Sequence, residues 1–263
     1  MTQSSKRSAL REQQAAAAKA ARTRRIVGIG LGVVALILTV IVIVVFIRTP
    51  ASAPGAASGA PRNATATNDG VTLYAGHAKP DAPRIDVYLD FQCPVCKTAE
   101  SSYNATMKQL AEAGDIVLVQ HTLTFMDGNL HNTASTRAAT AATCADIDGT
   151  TYPAMTAAIY ARQQTEELVG SVGYEDSLLR STLPVEVGIT GAALTTYQQC
   201  YDTAAPRAFL ANVTKAGYAA NVGGTPTFQR NGVELAVHPV AAPKLKIVAT
   251  TPEQFASLLL TGH

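Results

Sequence analysis

Residues 26–47 form a run of 22 positions without a charge. As a helix, such a run spans about 33 Å, the hydrocarbon thickness of a bilayer. It divides the chain into parts that must fold in different solvents. Before it, Lys6, Arg7, Arg11, Lys19, Arg22, Arg24 and Arg25 are opposed only by Glu12. By the positive-inside rule that tail, residues 1–25, stays cytoplasmic and everything from Arg48 onward lies outside. The span reads as an uncleaved signal anchor. A cleavable signal peptide is the competing reading, since Ala51-Ser52-Ala53 offers a small-x-small cleavage site, although the apolar region of such a peptide is normally about 7 to 15 residues long.

The formal net charge of +2 hides this asymmetry, because the tail alone exceeds it and the rest of the chain is acidic. No basic patch interleaved with aromatic residues follows, so no nucleic-acid partner is expected. Residues 48–69 are rich in Pro, Ala, Ser, Gly and Thr with no apolar period and read as a linker. The remaining stretch, 70–263, is long enough for one well-buried core or for a small fold carrying a large insertion.

Within it, residues 71–74 read as a short strand. Residues 84–91 read as a stronger one, with Ile85, Val87, Leu89 and Phe91 alternating with Asp86, Tyr88 and Asp90. A helix is expected from Pro94 to about Ala113, carrying Ala99, Tyr103, Met107 and Leu110 on one face, and a strand over 115–125. From about 131 to 221 strand signals fade. Helices are expected near 132–146, 152–166, 174–182, 191–203 and 206–220. Asn231-Gly232 between two β-prone runs is a type I′ hairpin signal. Thr251-Pro252-Glu253-Gln254 opens a last helix in the manner of a capping box.

The chemistry concentrates where the second strand ends, at Phe91-Gln92-Cys93-Pro94-Val95-Cys96. Two thiols three positions apart can close a disulfide across the first turn of a helix, and the positive end of the helix dipole favours a thiolate there. Cys93, nearest the helix start, would attack or be attacked; Cys96, one turn further in, would resolve the mixed disulfide. All four cysteines, Cys93, Cys96, Cys144 and Cys200, fall on the predicted outer side, and an even number there permits two disulfides.

Four features together resemble the thioredoxin fold, and within it the DsbA-like thiol oxidoreductases whose fold is interrupted by a helical domain. They are the strand running into Asp90-Phe91-Gln92-Cys93, the helical block, the Gly224-Thr225-Pro226-Thr227-Phe228 segment and the Asn231-Gly232 hairpin. The fold class expected is thus α/β, a thioredoxin fold with an inserted helical domain, preceded by a transmembrane helix and linker. The membrane anchor is similar to that of DsbA-like proteins on Gram-positive cell surfaces. The resemblance implies that Thr225-Pro226 is a cis bond beside the sulfurs, with an ordinary trans turn proline as the alternative. It implies a second, stapling disulfide from Cys144 to Cys200, with two separate buried thiols as the alternative. It also implies reduced exported proteins as substrates, a quinone-linked membrane reoxidase of the DsbB or VKOR-like type as partner, and no metal or bound cofactor.

Two departures stand out. Val95 occupies a place between the cysteines where strongly oxidising relatives often carry a histidine, and Val87 stands where thioredoxins place an acid beneath the site. Asp90 is the candidate proton relay in its stead, a carboxylate held in a solvated turn being the other reading. Zinc would need a second ligand pair that Cys144 and Cys200 do not form. His77, His121, His131, His238 and His263 are scattered, although His121 and His131 flank a loop that could approach the site. The expected activity is disulfide introduction into exported proteins through Cys93 and Cys96. The alternatives are a disulfide isomerase, a reductase serving cytochrome maturation, and a non-catalytic thioredoxin-fold binding or chaperone-like domain.

Overall fold

The computed structural model describes residues 59–146, 150–164, 169–237 and 251–263. The basic tail and the apolar span at 26–47 lie outside them. Among the described residues no helix is long and apolar enough to cross a membrane.

Five strands form one sheet: β1 Val71–Leu73, β2 Arg84–Leu89, β3 Val117–Thr122, β4 Thr227–Arg230 and β5 Val233–Leu235, in the spatial order β1-β3-β2-β4-β5. β2 is central, parallel to β3 and antiparallel to β4. Parallel neighbours need a crossover, and α1, Pro94–Glu112, supplies it. α1 packs through Tyr103 against Phe255 of the last helix and Phe228 of β4. The alternation along β2 places Val87 and Leu89 under α1, but it does not mark a solvated face. Asp86 and Tyr88 are 5% and 6% exposed, because the opposite face is covered as well. There Tyr88 stacks on His121 with ring centroids 4.3 Å apart, and His121 Nε2 lies 2.7 Å from Asp86 Oδ1. Burial opposes the Asp86 charge, yet hydrogen bonds from His121 and Arg84 hold its carboxyl below the usual range.

Between β3 and β4 comes the helical block: α2 Met126–Leu130, α3 Ala134–Cys144, α4 Tyr152–Ala161, α5 Leu183–Glu186, α6 Gly191–Asp202 and α7 Arg207–Ala219. The helix expected at 174–182 is a π-helical turn, Leu178–Thr182, that runs into α5, and the one expected to reach 166 ends at Ala161. α2 was not anticipated, since Met126-Asp127-Gly128-Asn129 reads as turn composition. Cys144 and Cys200 are joined, with Cα atoms 5.8 Å apart, tying the end of α3 to α6.

The hairpin turns through Asn231 and Gly232, both at positive φ, as a type I′ turn demands. α8, Pro252–Thr261, begins with the full Thr251/Gln254 capping box.

Residues 59–69, assigned by composition to the linker, belong instead to the folded unit. Ala60 and Ala64 pack against the core, Ala64 bridges Val71, and Asn212 Nδ2 donates to the carbonyls of Thr67 and Asn68. Backbone hydrogen bonds, which leave no apolar period in the sequence, hold this segment.

Candidate redox site

α1 starts at the cysteines for local reasons. Cys93 is its N-cap in extended conformation, and Pro94 follows at the first helical position with φ already set. The Cys93 carbonyl accepts from Cys96 N at 3.1 Å and Lys97 N at 3.2 Å, while Cys93 N donates to the Asp90 carbonyl at 3.0 Å. Both cysteines are free thiols. Cys93 is 7% exposed and Cys96 1%. Of the dipeptide between them, Pro94 is exposed and Val95 half-buried.

The cis-proline segment reaches this turn across 132 positions of sequence. Thr225-Pro226 is cis, and the Cys93 thiol donates to the Thr225 carbonyl at 3.3 Å. The Thr225 hydroxyl is buried and makes no hydrogen bond in the dithiol; it stands beside both sulfurs, placed to donate to a thiolate.

The two thiols are driven apart in acidity. Cys93 is pulled down to about 6. The hydrogen bond from the Cys96 thiol is the largest cause, and the Thr225 hydroxyl and the N–H groups of Cys96 and Val95 outweigh burial with it. Cys96 is pushed well above the ordinary thiol range by burial first and by the neighbouring Cys93 sulfur second. One thiol is therefore ionised at neutral pH and available as nucleophile or leaving group, and the other is held protonated until something removes its proton.

A polar cradle fixes the turn that carries Cys93. Gln92, 3% exposed, exchanges amide hydrogen bonds with Asn132 at 2.8 and 2.9 Å and also reaches Asp127 and Ser135. The Phe91 carbonyl accepts from Tyr174 at 2.6 Å and Gln163 at 3.0 Å, and the Asp90 carbonyl accepts from Tyr160 at 3.1 Å. Asp127 in turn receives the N–H groups of Ser135 and Thr136 at the start of α3. Gly173, with φ of +66°, lets its loop close on this cradle; a Cβ there would lie 2.5 Å from that of Ala134.

Asp90 is fully buried, which removes the solvated-turn reading. Its carboxyl accepts from Gln92 N, Met126 N and Ser135 Oγ, and burial pushes it up to about 7. Among the described residues no hydrogen bond links that carboxyl to either sulfur. His121 lies on β3, bound to Asp86, and His131 is exposed at the end of α2, so neither enters the site. Among the described residues no group of three or more His, Cys, Asp or Glu side chains converges as a metal would require.

A thioredoxin family profile matches residues 69–246, well over half of the chain. The chain belongs to the thioredoxin family. Several solved structures share this fold. The MdbA thiol-disulfide oxidoreductase of Actinomyces oris is 18% identical, with 82% of this chain and 97% of that one covered at a TM-score of 0.60. Its Corynebacterium diphtheriae counterpart is 23% identical, with coverages of 72% and 94% and a TM-score of 0.56. Oxidised DsbA of Mycobacterium tuberculosis is 24% identical, with 63% and 84% covered at 0.52. At these identities the likeness is one of fold. No curated protein matches the sequence at a significant level. Within this thioredoxin family member, the residues that sequence reasoning did not single out are Asn132, Ser135, Tyr160, Gln163 and Tyr174. Their only sequence signal is polarity inside an otherwise apolar helical block.

Proposed function

We propose that this chain is a membrane-anchored thiol:disulfide oxidoreductase whose domain stands outside the cytoplasm and introduces disulfides into exported proteins through Cys93 and Cys96. A substrate thiolate attacks Cys93 Sγ of the oxidised pair, the Cys93–Cys96 bond breaks, and Cys96 leaves and takes up a proton. The substrate's second thiolate then attacks the substrate sulfur of the mixed disulfide and expels Cys93 as thiolate. Two electrons pass from the substrate dithiol to the enzyme pair. The bond is reset by a quinone-linked reoxidase of the DsbB or VKOR-like type in the same membrane.

The observation that carries this reading is the split acidity of the two sulfurs, with Cys93 pulled down to about 6 and Cys96 pushed up. A stabilised Cys93 thiolate is a good leaving group and favours the reduced enzyme, so electrons run from substrate to enzyme. The cis Thr225-Pro226 bond beside Cys93 sets backbone polar groups where an extended substrate chain can pair with them. MdbA of Corynebacterium diphtheriae, a protein of similar fold, is described as a thiol-disulfide oxidoreductase.

The test is the reduction potential of the full chain, set against glutathione and paired with refolding of a reduced, disulfide-containing substrate. A value of roughly −120 to −180 mV with native disulfides formed in the substrate is expected, and one near −270 mV would transfer the reading to a reductase.

A further inference from the structure

Each turn of the proposed cycle moves a proton at Cys96, which must gain one when it leaves the disulfide and lose one when it attacks a mixed disulfide. Its sulfur is buried, so the transfer needs an acid–base group within reach. On β2 the position beneath the cysteines is Val87, 4% exposed. Asp90 turns its carboxyl toward Gln92, Met126 and Ser135 instead.

Glu100 is placed differently. It lies four residues beyond Cys96 on the same stripe of α1, a spacing that sets Cβ atoms about 5–6 Å apart. Its side chain lines a small, partly open recess of about 20 Å3 with Val87, Leu89, Gln120 and Thr156, a volume of the order one water needs. Among the described residues no hydrogen bond or ion pair is made by its carboxyl, and no cation faces it. The titratable groups that face it are Tyr74 from beyond β1 and Tyr160 from α4. Tyr160 also faces Cys96 and Asp90. Burial alone pushes Glu100 up to about 7, where acid and base forms coexist at neutral pH. Asn104, one turn further along α1, and Pro153 line both this space and a cleft of about 580 Å3 bordered by Tyr74, His77 and Lys108. Glu100 is itself only partly buried, which gives its carboxyl access to solvent.

We propose that Glu100 is the proton donor and acceptor for Cys96 and exchanges its proton with solvent past Asn104 and the cleft beside His77, standing in for the strand acid that Val87 replaces. This rests on the redox reading of Cys93 and Cys96. When a substrate thiolate breaks the Cys93–Cys96 bond, the electron pair of that bond goes to Cys96 Sγ, which takes the Glu100 proton and leaves a carboxylate. When Cys96 attacks a mixed disulfide at Cys93, its proton returns to Glu100, the new Cys93–Cys96 bond forms, and the departing thiolate carries away the electron pair.

The test uses the full chain in detergent micelles, reduced and mixed with one equivalent of dithiobis-nitrobenzoate. The first release of coloured thiolate reports attack by Cys93, and the second reports attack by Cys96 on the mixed disulfide. The second phase of the wild type is expected to rise with pH about a midpoint near 7. Glu100→Gln should remove that rise and slow the second phase about tenfold or more at pH 7, with the first phase unchanged as proof of an intact fold. Glu100→Asp should restore a rise with a displaced midpoint, and it decides the question alone if Glu100→Gln does not fold. A second phase whose midpoint is indifferent to both changes, or one lost in Asp90→Asn instead, overturns the assignment. A wild type that shows the Glu100-dependent phase yet fails to oxidise a reduced substrate sinks the oxidase reading alone. An oxidising chain indifferent to Glu100 sinks this one alone.

Discussion

Replacing Cys96 by alanine tests what makes Cys93 acidic. The largest cause of that acidity is the hydrogen bond from the Cys96 thiol, ahead of the Thr225 hydroxyl and the peptide N–H groups at the helix start. A hydrogen bond to a charged acceptor contributes about 1.5 to 3 kcal/mol, and 1.36 kcal/mol corresponds to one pKa unit. Its removal should therefore raise Cys93 by about one to two units, from about 6 into the range of about 7 to 8. At pH 7 the thiolate fraction would fall from roughly nine-tenths to between a half and a tenth. Cys96→Ser keeps a donor in the same place and should leave Cys93 near its original value. Thiolate absorbance in the far ultraviolet, or the alkylation rate with iodoacetamide, followed from pH 4 to 10 in both variants, measures the shift directly. If the alanine variant titrates together with the serine variant, the acidity comes from the helix start and its peptide groups, and the Cys96 thiol is not its main source.

Further outcomes can be measured on the same chain. Removing the Cys144–Cys200 bridge, which spans 56 positions, by Cys144→Ala with Cys200→Ala should lower unfolding stability by about 4 kcal/mol in the chain-entropy model, read from denaturant midpoints without reductant. Asp90 has a folded-state value near 7 against an ordinary 3.8. A raised acid opposes folding as pH climbs, so the wild type should lose about 3 kcal/mol between pH 4 and 7 from this group, and Asp90→Asn should flatten that slope in denaturation at the two pH values. Gly173→Ala drives a Cβ to 2.5 Å from Ala134 at a positive φ and should cost about 1–3 kcal/mol, visible as a lower melting temperature together with a changed thiolate titration at Cys93, since Gln92 adjoins the clash.

What was legible in the sequence is what local rules govern. Pro94 after the first cysteine, Asn231-Gly232 and the Thr251/Gln254 pair each announce a boundary within three or four residues, and each boundary lies there. The long helical block was legible only in outline. Ala134, Ala138, Ala139, Ala141 and Ala142 of α3 are all buried, so that helix is enclosed on every side and shows no apolar stripe to read. The cradle was illegible for another reason. Ser135 reaches Asp90 from 45 positions away, Tyr160 from 70, and Tyr174 reaches Phe91 from 83, and no local pattern encodes a hydrogen bond at such separations. The alternation along β2 misleads in the same way. Asp86 marks a buried hydrogen bond with His121, because a carboxylate can be enclosed wherever partners from other elements meet it.

The helical block does more for the site than cover it. The last three residues before Cys93 receive side-chain donors or amide partners from α3, from the segments just after α2 and α4, and from the loop before the π-turn: Asp90 from Ser135, Phe91 from Tyr174 and Gln163, Gln92 from Asn132. None of these donors touches a sulfur, yet together they hold the peptide N–H groups that follow Cys93 in the orientation that raises its acidity. The first turn of a helix is where fraying is easiest, since four N–H groups lack partners within the helix, and Cys93 offers its own helix no side-chain cap. The cradle supplies that missing restraint from outside. A change in the block far from the cysteines, such as the loss of Gln163, would then be felt at Cys93 as a less acidic thiol before it is felt as a loss of fold.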